Sequence, residues 1–265
     1  MNELSLRPII FLFTLALFFI LEHIFKRREA IYFKKEKWHR VFSNLSLVFI
    51  GNFLVKHLLP FAPYGLALLV EQDKVWSLQL LGQIDSHVSF VIGLISLDFF
   101  IYFQHVLSHR VAFIWRIHRV HHADRELDST SALRFHPLEI YGSSLYKMAL
   151  IVLMGYSSTT IFWFEVILSS SAIFNHSNLY LPKKIDQVIR LFFVTPDFHR
   201  SHHCENRLRH DRNYGFCFSF WDYLFKTYES VDFKEQEQLK IGLKEFEKKE
   251  ETLPLFNLLK MPFRK

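Results

Sequence analysis

Cysteine is scarce in this chain of 265 residues. Only Cys204 and Cys217 occur, and neither belongs to a Cys-x-x-Cys pair. A disulfide framework and a thiolate zinc site are therefore not expected, and the chain is compatible with a reducing compartment. The His-Glu-x-x-His signature of zinc proteases is also absent, so nothing in the sequence supports zinc-dependent proteolysis.

Long internal repeats and low-complexity linkers are absent too, and the one internal echo is short. The run HRVHH at residues 118–122 returns as HRSHH at residues 199–203. On a helix, positions i, i+3 and i+4 share one face, so each copy directs three imidazoles toward a common point. A further pair has the i, i+4 spacing that lets two ring nitrogens reach one ion. Eight of the fifteen histidines thus fall in three clusters: His105 and His109; His118, His121 and His122; His199, His202 and His203.

Acidic residues are fewer than basic ones, which leaves a formal charge of +6. In a soluble protein such an excess would suggest a nucleic-acid partner. Here the cations gather beside apolar runs, and seven of them directly follow the first run: Lys26, Arg27, Arg28, Lys34, Lys35, Lys37 and Arg40. Positive residues beside a membrane span mark its cytoplasmic end. Membrane orientation therefore explains the basicity, and no nucleic-acid partner is expected.

Hydrophobic residues make up half of the chain, and they are concentrated in runs. Residues 8–25, 41–59 and 88–107 approach the roughly 20 residues that cross a bilayer. Residues 140–155 and 159–174 indicate a helical hairpin that enters the membrane and returns. No cationic segment precedes the first run and no small-residue cleavage site follows it, which favours a retained anchor over a signal peptide.

These runs predict an all-α fold, an integral membrane helical bundle with a cytoplasmic, histidine-rich helical cap. With the N-terminus outside, alternating spans bring every histidine cluster to the cytoplasmic side of a bacterial inner membrane or an endoplasmic reticulum. Residues 61–83 are expected to form an external loop with short helical pieces, and a further span is the alternative there. Residues 233–265 are charged and amphipathic, which predicts a surface helix and tail.

The clustered imidazoles are too many for one tetrahedral zinc ion, which takes about four ligands. Their number suits two metal ions held close together, with positions left for water or dioxygen. Iron, zinc and copper all accept imidazole, so ligand type alone does not choose the metal. Haem ligation by two histidines does not call for such triplets. A centre at the cytoplasmic ends of membrane helices can take a lipid from the bilayer and reductant from water. Since oxidation of an unactivated C–H bond needs a cofactor, iron with dioxygen is the economical choice.

One acidic residue lies inside a predicted span. Asp98 is seven residues before His105, so the two share a helix face with Tyr102 between them. A charge within a span is costly and marks a functional candidate. Asp98 would suit a role as acceptor of the free ring N–H of a ligating histidine. The alternative is that it satisfies a local hydrogen bond within the bundle.

The motifs together resemble the fatty acid hydroxylase superfamily, in its sterol desaturase branch. The resemblance rests on HxxxH at residues 105–109, the two HxxHH runs, RFHPLE around His136, NHSN at His176 and NYGFCFSFWDYLFKTY from Asn213. It covers roughly Asp98 to Tyr228. The family includes sterol desaturases, methylsterol oxidases, carotenoid hydroxylases and ether-lipid monooxygenases, so the reaction subtype does not transfer.

The resemblance implies a membrane-embedded non-haem oxidoreductase with two iron ions, which uses dioxygen as co-substrate to hydroxylate or desaturate a sterol-like, fatty acyl, isoprenoid or ether lipid. It implies that the eight clustered histidines are metal ligands and that His136 and His176 join them. Glu139 and Asp197 are candidates to orient ligands, and each is also explained as an acid at a helix N-terminus. Asn213 and Tyr214 are candidates to position the metal site or the substrate. His136 and His176 have alternatives as a loop histidine and a hairpin cap.

Three regions are predicted: a transmembrane anchor region at 1–87, a catalytic domain at 88–230 and an amphipathic tail at 231–265. No haem-binding or ferredoxin-like domain is visible, so electrons are expected from a separate electron-transfer protein. A zinc-dependent membrane hydrolase or metal-binding scaffold on the same bundle is the competing hypothesis, and a transporter with histidine proton relays is a third. The histidines outside the motifs are expected to be interfacial or solvated: His23, His39, His57, His87 and His210.

Overall fold

A computed structural model describes residues 3–77, 80–81 and 86–264 of the chain. Within these ranges the secondary structure is helical, and extended residues meet only in isolated bridges. The all-α prediction is therefore confirmed. The longer helices are α1 (Glu3–Ile24), α2 (Lys34–Leu58), α3 (Pro63–Glu71), α4 (Ser86–Arg110), α5 (Ala112–His122), α6 (Pro137–Met154) and α7 (Ser158–His176). The shorter ones are α8 (Lys183–Ile189), α9 (Pro196–His202), α10 (Arg207–His210), α11 (Phe220–Leu224), α12 (Lys249–Thr252) and α13 (Leu255–Lys260).

Among the described residues, three helical stretches are long and apolar enough to cross a membrane: Leu6–Ile24, Lys34–Glu71 and Ser86–Arg110. Each contains most of one span predicted from the sequence, so the chain is a membrane protein. The second stretch joins α2 to α3, the helical piece expected in the loop after residue 60. The rest of that predicted loop lies partly outside the described residues.

The predicted hairpin is present as α6 and α7. Helix α6 begins at Pro137, whose fixed φ suits the first helical position, and ends at Gly155 in the left-handed conformation. Ser157 then caps α7, because its hydroxyl accepts the N–H of Thr160 at 3.1 Å. Local chemistry thus determines both ends of the turn. Insertion of the hairpin into the bilayer stays a prediction.

The helices pack in pairs. Helix α2 lies against α6, α1 lies against α7, and α4 packs against both α5 and α7. Helix α3 contacts α6 and α7, and a 3₁₀ helix at Ser129–Leu133 contacts α1, α2 and α7. The central apolar cluster includes Leu97 of α4, Ile151 of α6 and Phe164 of α7, all fully buried. This bundle carries the histidine-bearing ends of α4, α5 and α7 to one place.

Buried polar groups fix the helix ends to the loops beside the histidines. In α2, Arg40 is fully buried and pairs with Asp124 at 3.3 Å and Asp128 at 2.8 Å. Near the end of α1, Glu22 accepts the N–H groups of Ser129 and Asn178, each at 2.9 Å. Because a buried charge is costly unless it is paired, these contacts strongly restrict how α1 and α2 can move against the histidine region.

The C-terminal region differs from the predicted surface helix. It contains α12, α13 and 3₁₀ helices at Glu235–Glu237, Lys244–Phe246 and Met261–Phe263. Leu258 and Met261 are fully buried in a cluster with Leu47 and Val120. Met261 also accepts a hydrogen bond from Arg119 of α5 through its carbonyl. The segment therefore packs on α5 as part of the core. In the sequence, the few apolar residues that pack inward are obscured by many charged neighbours.

Close packing of α4 on α7 generates a prediction for Gly93. A Cβ at this position would lie 2.6 Å from the Thr160 methyl carbon, whereas a Cβ at Gly142 of α6 meets no atom within 4 Å. We expect Gly93→Leu to lower the free energy of unfolding by about 1–3 kcal/mol through overpacking, and Gly142→Leu to have little effect. Thermal unfolding of both variants in the same detergent measures this. Equal melting temperatures would contradict the packing described.

Candidate metal centre

Nine buried histidines converge in two groups at one end of the bundle. The first group is His105, His109, His118, His122 and His202; the second is His121, His176, His199 and His203. Within each group the potential ligand atoms all lie within 4.8 Å of one another. The groups adjoin, because the rings of His122 and His203 stack with centroids 4.4 Å apart. Helices α4, α5, α7 and α9 supply eight of these side chains, and His203 directly follows α9.

Outer hydrogen bonds orient four rings of the first group. The Nδ1 of His105 donates to the Tyr214 carbonyl at 2.8 Å, and that of His202 donates to the Arg212 carbonyl at 2.7 Å. Carboxylates hold two more Nδ1 atoms: Glu139 lies 2.6 Å from His118, and Asp211 lies 3.3 Å from His109. These contacts leave each Nε2 facing inward. A ring held by a carboxylate or carbonyl on its outer nitrogen has the arrangement typical of a metal-ligating histidine.

The second group converges through its Nε2 atoms. His176 is central: its Nε2 lies 3.0 Å from that of His121 and 3.1 Å from that of His199. The His203 Nε2 lies 3.2 Å from that of His199. In this group His176 has an outer partner, the Ala172 carbonyl at 2.7 Å. The Nδ1 atoms of the other three have no hydrogen-bond partner, so their rings are less firmly oriented than those of the first group.

Metal ions fit these residues on two observations. His105 and His202 each donate Nδ1–H to a carbonyl, so their Nε2 atoms carry lone pairs, yet these atoms are 3.0 Å apart. Two facing lone pairs repel unless a cation lies near both. Nitrogens about 2.1 Å from one ion would be about 3.0 Å apart at a right angle. In addition, His109 Nε2, His118 Nε2 and both nitrogens of His122 are buried without any hydrogen-bond partner.

The electrostatic environment keeps five of the imidazoles neutral. Burial and then neighbouring histidines hold the pKa of five of them well below the usual 6.5: His121, His122, His199, His202 and His203. A neutral imidazole is the form that binds metal, so no proton has to be displaced near pH 7. Cys204, by contrast, has its pKa raised to about 11 by burial, so it is a protonated thiol and a poor ligand.

The structure brings together nine of the ten histidines that the motifs indicated, and the tenth lies elsewhere. His136 is the N-cap of α6, where its Nδ1 accepts the N–H of Leu138 at 3.2 Å. Its Nε2 donates to the Leu259 carbonyl at 3.2 Å. Both ring nitrogens are thus engaged by backbone, and His136 belongs to neither group.

Two of the five predicted orienting residues have different partners from those expected. Asp98 contacts no histidine; it accepts the N–H groups of Cys217 at 3.2 Å and Phe218 at 3.3 Å and the indole N–H of Trp221 at 2.9 Å. Asp98 therefore holds a segment that is distant in the chain instead of the free ring N–H of a ligating histidine. Asp197 pairs with Arg200 and with Arg27, 3.2 Å away, rather than with His199. Arg200 is only three residues from Asp197, but Arg27 and the partners of Asp98 come from distant segments, which spacing along a helix does not reveal.

The other three contact the centre or the helix that carries it. Glu139 holds His118, as described above. Tyr214 is fully buried, its carbonyl holds His105, and its ring lies 5.2 Å from that of His109. Asn213 acts on α9: its amide donates to the Ser201 hydroxyl at 2.7 Å and to the Glu229 carbonyl at 2.8 Å. These contacts position the helix that carries three ligand candidates.

Two residues beside the centre were missed by the sequence patterns. His210 was expected to be solvated, but it is buried, with its ring 5.4 Å from that of His109 and 5.0 Å from that of Trp115. Asp211 lies 3.3 Å from His109 Nδ1. Neither stands at a ligand spacing from another histidine motif, so no local signal in the sequence would have identified them.

Comparison with known proteins agrees with this geometry. A model of the fatty acid hydroxylase family matches residues 90–227, which contain both groups. The chain is 28% identical over 144 residues to an ornithine lipid hydroxylase of Rhizobium tropici, covering 53% of this chain and 41% of that protein. It is 30% identical over 149 residues to an alkylglycerol monooxygenase of Caenorhabditis elegans, covering 55% and 28%. The human alkylglycerol monooxygenase is 27% identical over 164 residues, covering 60% and 34%.

The matched region thus spans less than half the length of each of these relatives. No solved structure is significantly similar to the chain.

The carboxylate on His118 generates the first prediction for the site. We expect Glu139→Gln to raise the dissociation constant for Fe²⁺ by about 10- to 100-fold, because the outer carboxylate orients the ring and increases its basicity. Competition with a chromophoric chelator under anaerobic conditions measures the constant. The exposed Glu250 of α12 supplies the matched control, Glu250→Gln. An unchanged constant in Glu139→Gln would show that this contact does not support metal binding.

The separate position of His136 generates the second prediction for the site. His121→Ala should lower the metal content of purified protein and abolish turnover, because it removes a nitrogen of the second group. His136→Ala should keep its metal but lose about 1 kcal/mol of stability, since it removes the cap of α6. Metal analysis and thermal unfolding of the two variants separate these outcomes. Equal metal loss in both would place His136 among the ligands after all.

Proposed function

The chain belongs to the fatty acid hydroxylase family, and from that premise we propose that it is a membrane-bound di-iron oxygenase that uses dioxygen to hydroxylate a lipid. The observation that carries the proposal is the pair of buried imidazole groups, one of five and one of four, at the end of α4, which is long and apolar enough to cross a membrane. Nine imidazole ligands suit two ions with coordination positions to spare.

Iron is the metal proposed for both groups. When bound, two iron ions would supply the dioxygen activation and C–H oxidation that amino-acid side chains lack. His105, His109, His118, His122 and His202 would hold one ion, and His121, His176, His199 and His203 the other. The named relatives, an ornithine lipid hydroxylase and alkylglycerol monooxygenases, support the oxidation of a lipid as the reaction of this chain.

The chain's own residues then bind, orient and exclude water. Glu139 and Asp211 accept the outer protons of His118 and His109 and keep their Nε2 atoms directed inward. The ring of Phe135 stacks on His121 at 4.3 Å with an interplanar angle of 11°. Phe216 lies 6.1 Å from His105. These aromatic rings cover the centre with apolar surface, which would limit water and accommodate a hydrocarbon chain.

The cytoplasmic side of the membrane is the proposed location of the centre. Arg27 directly follows α1 among the basic residues of the first loop, and it contacts Asp197 beside the histidines of α9. The centre therefore lies on the same side as that basic loop, and such loops are retained in the cytoplasm. There a separate electron-transfer protein would supply reducing equivalents.

The substrate is proposed to be a membrane lipid with a polar headgroup, because the relatives are named for ornithine lipid and alkylglycerol. The mass of the product distinguishes the two reactions. A hydroxylated lipid gains an oxygen atom, whereas a desaturated lipid loses two hydrogen atoms.

Anaerobic purification followed by metal analysis tests the function. We expect about two irons per chain, and oxygenated lipid formed only when air and a reductant are supplied to the protein in vesicles of ornithine lipid or alkylglycerol. His121→Ala should form none, while His57→Ala, at an exposed position in α2, should match the natural chain. Stoichiometric zinc together with lipid cleavage under nitrogen would overturn the proposal in favour of a zinc hydrolase.

A further inference from the structure

A large apolar surface lies beside the histidine cap, in the part of the chain that the sequence predicts to be cytoplasmic. Val188, Phe192 and Leu224 are 64%, 62% and 64% exposed. We call this surface the shoulder and define it as residues 185–193 and 218–225. Its exposed apolar side chains are Ile185, Val188, Leu191, Phe192, Phe193, Tyr223, Leu224 and Phe225. Contiguous apolar surface of this kind marks a contact with a membrane or a partner.

The two segments of the shoulder form one surface. The N–H of Ser219 donates to the Phe192 carbonyl at 3.1 Å, and the Ser219 hydroxyl donates to the Arg190 carbonyl at 2.8 Å. The rings of Phe193 and Phe218 lie 5.6 Å apart. These contacts hold the two segments together.

Contacts with α4 show at what depth the shoulder lies. Phe99 packs on Trp221 at 5.1 Å and on Phe225 at 5.9 Å, and Tyr102 stacks on Phe225 at 5.6 Å. Phe99 precedes His105 by six residues, which is roughly 9 Å along a helix, and Arg110 by eleven, which is roughly 16 Å. The second segment of the shoulder thus lies alongside the spanning part of α4, on the membrane side of the histidines.

Backbone groups of this segment are satisfied in the way that hydrocarbon requires. In lipid, every N–H needs a partner within the protein. The carboxylate of Asp98 accepts the N–H groups of Cys217 and Phe218, and that of Asp222 accepts those of Tyr214 at 2.8 Å and Gly215 at 2.6 Å. This arrangement explains why α4 carries an acid inside a span.

Cations lie at the edge of the shoulder. Lys183 and Lys184 open α8, and Lys226 follows α11; all three are exposed. Apolar side chains flanked by lysines are typical of segments seated in the interface of an anionic leaflet.

We propose that the shoulder is inserted into the leaflet that the histidine end of α4 occupies, so that this part of the cap is seated in lipid. Residues 185–193 lead directly into α9, whose N-cap is Thr195. The helix that carries His199 and His202, with His203 directly after it, is therefore joined to a segment that lies in the membrane. This segment sets the depth of the centre relative to lipid. The proposal does not depend on which metal the centre holds.

Fluorescence quenching of single labels tests the insertion. Val188→Cys, Phe192→Cys and Leu224→Cys are labelled with a thiol-reactive nitrobenzoxadiazole dye in the full chain, which is placed in phosphatidylcholine and phosphatidylglycerol vesicles. Phe13→Cys, on the exposed face of α1, is the reference in lipid, and Leu208→Cys, at an 81% exposed position in α10, is the reference in water. Cys204 and Cys217 are buried, and the natural chain, treated with the dye, reports any background.

Each label is quenched separately by lipids brominated on their acyl chains and by aqueous iodide. We expect the ratio of bromolipid quenching to iodide quenching at Val188, Phe192 and Leu224 to be nearer to the ratio at Phe13 than to the ratio at Leu208. Ratios nearer to that at Leu208 would overturn the proposal. Because all three positions are exposed, their substitution leaves the core intact, and the metal content of each labelled variant confirms that the centre is formed.

Discussion

The convergence of imidazole nitrogens is the constraint on which the rest of the structure depends. His105 and His202 present lone pairs to each other at 3.0 Å, and four further nitrogens on His109, His118 and His122 are buried without a partner. An unpaired buried polar atom costs roughly 1–3 kcal/mol, which for these atoms approaches the about 5–15 kcal/mol that stabilises a typical fold. Cations bound between the rings would offset this cost.

A second set of contacts keeps the rings in place. Backbone carbonyls from Tyr214, Arg212 and Ala172 hold three of the Nδ1 atoms, and the carboxylates of Glu139 and Asp211 hold two more. Four of these five contacts belong to the first group. The first group is therefore more rigidly preorganised than the second. The two groups differ in their surroundings although both are lined by histidine.

The sequence was a good guide wherever a residue's role follows from near neighbours in the chain. Helical periodicity placed the three histidine clusters on common faces, and run length identified the three spans. At His136, Asp98 and Asp197 the predictions missed one partner each on a distant segment, namely Leu259, Cys217 and Arg27. The C-terminal segment was misjudged for a related reason, because its buried Leu258 and Met261 are few among many charged neighbours. Contacts between side chains on distant segments become visible only in the folded structure.

Helix α4 links the chemistry to the membrane. It carries His105 and His109 near its end and Asp98 two turns earlier, so the metal centre and the contact that holds the shoulder share one rigid element. A carboxylate inside a span would be costly if it faced lipid. Here the Asp98 carboxylate accepts hydrogen bonds from backbone N–H groups that hydrocarbon could not solvate. The same residue therefore permits irregular backbone at membrane depth and ties it to the helix that positions the ligands. The separation between the histidine groups and the contact that holds the shoulder is therefore set by about two turns of helix.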